Sequence, residues 1–172
     1  LINIAKSSEN NSYRSFTGHT AGINSIAFVP GNREFFTAGS DGKIMRWGLD
    51  KSNQSLQIFY SGSEIINVLA VSPDAGWLAS GTQNSGIRMI PLKDNGLAYD
   101  LKGHTGPIRS LIFSYDGRYL YSASVDGKVL RWDLNTKSST EVSEGLGHIT
   151  SIDLSADSNY MAGLNEEGKV VV

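Results

Sequence analysis

The clearest hydrophobic pattern lies between residues 108 and 134. Ile108–Phe113 is a largely apolar run of strand length, and Ser114-Tyr115-Asp116-Gly117 after it has the composition of a turn. Residues 118–124 alternate for most of their length and predict a second strand. Val125-Asp126-Gly127 reads as a hairpin turn in which the glycine supplies a positive φ, and 128–134 as a third strand. A polar loop, 135–139, follows. The same order occurs earlier in the chain, over Ile23–Phe28, Glu34–Gly39 and 43–49. Segments 55–60 and 97–101 leave room for a fourth strand per unit. No 3.6-residue periodicity intervenes, so the pattern predicts an all-β chain.

The units share a register. Gly18-His19 is followed by Asp41-Gly42 and Trp47; Gly103-His104 is followed by Asp126-Gly127 and Trp132. The His-to-Trp spacing is 28 residues in both copies. Phe28 and Phe113 each lie nine residues after their histidine, and Val71 and Leu154 hold that position in two weaker copies. The anchor positions become His19, Gly62, His104 and Gly145, with steps of 43, 42 and 41 residues. Four such repeats, over approximately 1–47, 48–90, 91–132 and 133–172, make one repeat region of the 172 residues. Four strands in about 42 residues is the blade of a β-propeller.

Gly-His, then Asp-Gly, then Trp132-Asp133 resembles the WD-repeat family, and the resemblance extends over essentially the whole chain. It implies an all-β propeller with four-stranded blades. About four repeats would then be half of an eight-bladed ring or part of a seven- or eight-bladed one. It also implies a hydrogen-bond chain in each signature blade, from Asp to His, from His to Ser or Thr, and from the hydroxyl to the indole N–H. The members here would be His19, Thr37, Asp41 and Trp47 in one copy and His104, Ser122, Asp126 and Trp132 in the other. A buried carboxylate needs a donor, a buried indole needs an acceptor, and a hydroxyl does both. A hydrolase triad would need one specialised copy and an oxyanion site; a group that occurs twice is what a per-blade staple predicts. The second copy has Gly62, Asn84 and Ile90 at the His, Asp and Trp positions, and the fourth has Gly145 and Glu167. His148 is three residues out of register. Blades two and four are expected to rest on apolar packing.

Composition narrows the function classes. A net charge of −2 with 19% charged residues marks neither a nucleic acid nor a membrane surface as the partner. The absence of cysteine excludes disulfides and thiolate metal sites, and the three histidines fall in different repeats, so no cofactor or metal is expected. Arg46, Arg88 and Arg131 recur near one point of the third strand and are read as blade-edge charges. The register places residues 1–4 at the end of a third strand and Tyr13–Phe16 as a fourth, and the last repeat stops within a third strand. Both ends are thus expected to fall inside a blade. One expected solution is a head-to-tail homodimer that completes the ring.

The function expected from the resemblance is a non-catalytic protein-interaction scaffold or sensory module, cytoplasmic, binding a protein or peptide. Its face would be formed by the residue before each Asp position, Ser40, Gln83, Val125 and Glu166, and by the second residue of each inner strand, Asn24, Asn67, Arg109 and Thr150. The alternative is a propeller enzyme, a lyase or hydrolase with a site at the channel mouth. Asp153 is the one carboxylate the inner strands offer it.

Overall fold

A computed structural model describes residues 2–5, 13–49, 57–93, 96–143 and 147–171. Strands β3 (Ile23–Phe28), β4 (Glu34–Gly39), β5 (Lys43–Gly48) and β6 (Gln57–Ser61) pair in sequence order as one antiparallel sheet. β7 (Ile66–Val71), β8 (Trp77–Thr82), β9 (Ile87–Pro91) and β10 (Tyr99–Leu101) form the second. β11 (Ile108–Phe113), β12 (Tyr119–Ser124), β13 (Val129–Asp133) and β14 (Ser138–Glu141) form the third. β15 (Ile149–Leu154), β16 (Met161–Asn165) and β17 (Val170–Val171) make a three-stranded fourth sheet. Ahead of these, β1 (Ile2–Ala5) pairs with β2 (Tyr13–Phe16). No helix among the described residues is long and apolar enough to cross a membrane.

Residues 138 and 139, placed in a loop by their polarity, belong to strand β14. Ser139 lies opposite Trp132, and all four residues of β14 are exposed. An outermost strand needs only backbone partners on one side, so a polar sequence can occupy it. That is why hydrophobic patterning missed its start.

The core lies between sheets. Phe36, Ala38 and Ile44 of the first sheet pack against Ile66, Leu69 and Leu78 of the second. Ile87, Met89 and Leu101 of the second pack against Ile108, Leu120 and Trp132 of the third. A smaller cluster of Ala123, Val129, Ile149 and Ile152 joins the third sheet to the fourth. Phe16 of β2 meets Phe35 and Trp47 edge-on, at ring separations of 5.3 and 5.4 Å, and so packs the hairpin against the first sheet. The second and third sheets therefore bury apolar side chains on both faces. The result is a partial β-propeller built from stacked blades.

Every inner strand carries a β-bulge at its second residue. The register shifts between Ile23 and Ser25, Ile66 and Val68, Ile108 and Ser110, and Ile149 and Ser151. The residues left out of the ladder are Asn24, Asn67, Arg109 and Thr150. A bulge frees one residue from cross-strand pairing and re-aims its side chain.

Candidate partner-binding face

The structure assembles both signature groups inside their blades. His104 Nδ1 is 2.9 Å from Asp126, its Nε2 is 2.7 Å from Ser122 Oγ, and Trp132 Nε1 donates to the same Oγ at 2.8 Å. In the first blade, His19 lies 3.0 Å from Asp41 and 2.8 Å from Thr37 Oγ1, which accepts from Trp47 Nε1 at 2.8 Å. The hydroxyl has one proton. It donates to Nε2 when the imidazole carries its own proton on Nδ1, and then every group in the chain has a partner. Burial works against the charge of Asp126, but the Thr105 N–H, the His104 ring and the Lys128 N–H outweigh it and hold the carboxyl below its ordinary range. Asp41 is held low in the same way by Thr20, His19 and Lys43. The side chains of both His–Asp pairs are closed to solvent inside their blades.

His148 makes a different contact, an exposed pair with Glu166 at 3.1 Å. Asp153 caps its own strand end by accepting from the Leu154 N–H. Among the described residues, no three His, Asp or Glu side chains converge to hold a metal ion. The three arginines do not line a common stripe. Arg46 pairs with Glu34, Arg88 with Asp100, and Arg131 stacks on Tyr119.

The eight face residues come together in pairs, one pair per blade. In each blade the backbone N–H of the turn residue bonds to the carbonyl just ahead of the inner strand: Ser40 to Gly22, Gln83 to Ile65, Val125 to Pro107 and Glu166 to His148, all at 2.8–3.0 Å. This sets the turn residue beside the bulged one. The pairs differ in chemistry. Asn24 Nδ2 donates to Ser40 Oγ and to the Ile66 carbonyl of the next blade; Asn67 Nδ2 donates to Gln83 Oε1 and to the Ile108 carbonyl. Both asparagines thus also tie one blade to the next, a role the repeat spacing does not reveal. Thr150 bonds within its own blade, to the Leu164 carbonyl. Arg109 is exposed beside Val125, and among the described residues its guanidinium has no ion-pair or hydrogen-bond partner.

Four-stranded antiparallel sheets stacked one after another, with a His–hydroxyl–Trp staple in the first and the third, define a propeller repeat protein. The "WD domain, G-beta repeat" family model matches residues 10–48, 53–90 and 96–133, and the chain belongs to that family. It is 28% identical to Protein groucho of Drosophila melanogaster over 92% of this chain and 21% of that protein. It is 34% identical to Small ribosomal subunit protein RACK1 of Candida albicans over 72% of this chain and 40% of that one. The chain therefore spans less than half the length of either relative. The crystal structure of the computationally designed Ika4 protein superposes with a TM-score of 0.76 at 20% identity, covering 91% of this chain and 93% of that one, a likeness of fold.

Proposed function

We infer that this chain is a non-catalytic interaction scaffold that binds a protein or peptide on the face built by the bulges and their neighbouring turns. Family membership supports the scaffold role, since relatives such as groucho and RACK1 are WD-repeat proteins. The observation that carries the face is Arg109: an exposed cation without a partner among the described residues, held by a bulge next to apolar Val125, where the other three bulges hold two neutral amides and a hydroxyl. The partner segment should bring a carboxylate to Arg109 and an apolar group to Val125. Affinity capture with the wild type, Arg109→Glu and Val125→Arg tests this. Both variants should lose a common set of partners that a change at the distant, exposed Tyr115 retains. Retention of every partner by both variants would remove the face.

The proposed assembly is a ring closed by a second copy. Leu69, Leu111 and Ile152 are covered by the preceding blade and are 6–7% exposed, whereas Ile26 at the same position is 46% exposed. At the opposite end Val170 is 69% exposed, where Ile44, Ile87 and Val129 are at most 1%. These two faces leave exposed the apolar positions that the inner blades bury against each other, and uncovered apolar surface of this kind favours association. Light scattering should give twice the chain mass for the wild type and one chain mass for Ile26→Glu. A monomeric wild type would refute the assembly and leave the binding face standing.

A further inference from the structure

The second blade keeps one member of the staple and has lost the rest. Ser80 occupies the position of Thr37 and Ser122, and is 2% exposed. Where those two hydroxyls each meet an imidazole at 2.7–2.8 Å and an indole N–H at 2.8 Å, Ser80 makes a single 3.5 Å approach to the Arg88 carbonyl. Among the described residues nothing donates to it, and its donated bond is at the limit of what counts as one. The imidazole is missing because Gly62 stands in its place, and the indole because Ile90 does.

Tyr60 takes up only part of the vacated space. A cavity of about 280 Å³ remains, lined by Ser80, Asn84, Tyr60, Thr82, Gly86 and Arg88 among others. Tyr60 forms one wall: a Cβ built at Gly62 would lie 2.7 Å from its hydroxyl, so the phenol stands against the anchor position. Asn84 holds the place of the staple's aspartate, and the turn around it is preserved, with Ser85 at φ 66° where Gly42 and Gly127 have 70° and 86°. The two polar groups that an imidazole bridges in the sibling blades therefore survive as Ser80 and Asn84, facing an open volume.

The geometry points to a binding site for a neutral imidazole ring in the second blade, its unprotonated nitrogen accepting from Ser80 Oγ–H and its N–H donating to Asn84 Oδ1. The ring would complete from outside the staple that blades one and three complete from within. The site is separate from the bulge face and does not depend on it. A free imidazole-bearing metabolite and a histidine side chain of a bound protein share this chemistry.

The test is a titration of the ¹⁵N-labelled chain at about pH 8, where imidazole is neutral. Three probes are used: imidazole, 1-methylimidazole, and a blocked Gly-His-Gly peptide with Gly-Ala-Gly as its control. Imidazole should give saturable shifts at the amides of Ser80, Asn84 and Gly86, with a dissociation constant on the order of 10 mM for so small a ligand. 1-Methylimidazole, which keeps the acceptor and lacks the donor, should bind more weakly. Ser80→Ala and Asn84→Ala should each weaken imidazole about fivefold or more. Asn84 is exposed, so its variant tests the site even if Ser80→Ala unfolds. Tighter binding of the histidine peptide than of imidazole assigns the site to a protein side chain; binding of imidazole alone assigns it to a small molecule. No shift at these amides with any probe, or undiminished affinity in the Asn84 variant, would overturn the proposal.

Discussion

Removing His104 is the sharpest probe of what the staple contributes. Its side chain is fully buried, and it holds Asp126 at 2.9 Å and Ser122 at 2.7 Å. His104→Ala does not strand Asp126 completely: the carboxylate keeps the Thr105 and Lys128 N–H groups at 2.9 and 3.0 Å. Ser122 keeps the Trp132 N–H but has only a 3.5 Å approach to the Leu130 carbonyl for its own proton. One charge-assisted bond, one neutral bond and the emptied ring volume together cost about 3 kcal/mol. Urea unfolding followed by tryptophan fluorescence should show this as a lower midpoint at unchanged slope. Amide exchange should locate the damage, with Thr105 and Lys128 losing protection before the second blade does. Asp126→Asn should cost less, because its side-chain oxygen still accepts from Thr105, and the double variant should show coupling of the two positions. A loss below about 0.5 kcal/mol for His104→Ala, with exchange unchanged, would mean that the staple forms without stabilising the blade, and the reasoning would fail.

Two further outcomes follow from the same geometry. Ser85 sits at φ 66° in the turn where its siblings Gly42, Gly127 and Gly168 have 70°, 86° and 76°, so Ser85→Gly should stabilise the chain by about 0.5–1 kcal/mol, read from the urea midpoint. Asp41 and Asp126 are both held below the ordinary aspartate value, so the stability they add is present above that value and disappears as pH falls toward the lowered native ones; unfolding free energy should drop below about pH 4, and Asp126→Asn should flatten that fall.

Strand order, turns and staples were legible because each rests on local spacing. Hydrophobic runs bounded by Asp-Gly turns specify hairpins, and a 28-residue offset shared by His19–Trp47 and His104–Trp132 leaves little freedom in how those residues meet. What escaped the sequence is long-range. The bulges at Asn24, Asn67, Arg109 and Thr150 leave the apolar alternation almost undisturbed, so nothing in the pattern announces them. The bonds from Asn24 to Ile66 and from Asn67 to Ile108 join residues 42 and 41 apart, and only the stacking of blades brings them within reach. The cavity beside Ser80 is a difference between blades. Gly62 and Ile90 show that two ring systems are missing, but not that the volume stays open.

The bulge has a consequence for how such a surface changes over time. A residue outside the ladder has no partner across the sheet, so its identity is not constrained by the strand beside it. Asparagine, arginine and threonine stand at equivalent points of one molecule, on the same backbone path. Where the residue also grips the next blade, as Asn67 does, exchange loosens the ring; where it does not, as at Arg109, exchange changes the chemistry exposed on the proposed face and leaves the architecture as it was. The side chains offered to solvent can therefore drift blade by blade, at the positions least tied to the fold.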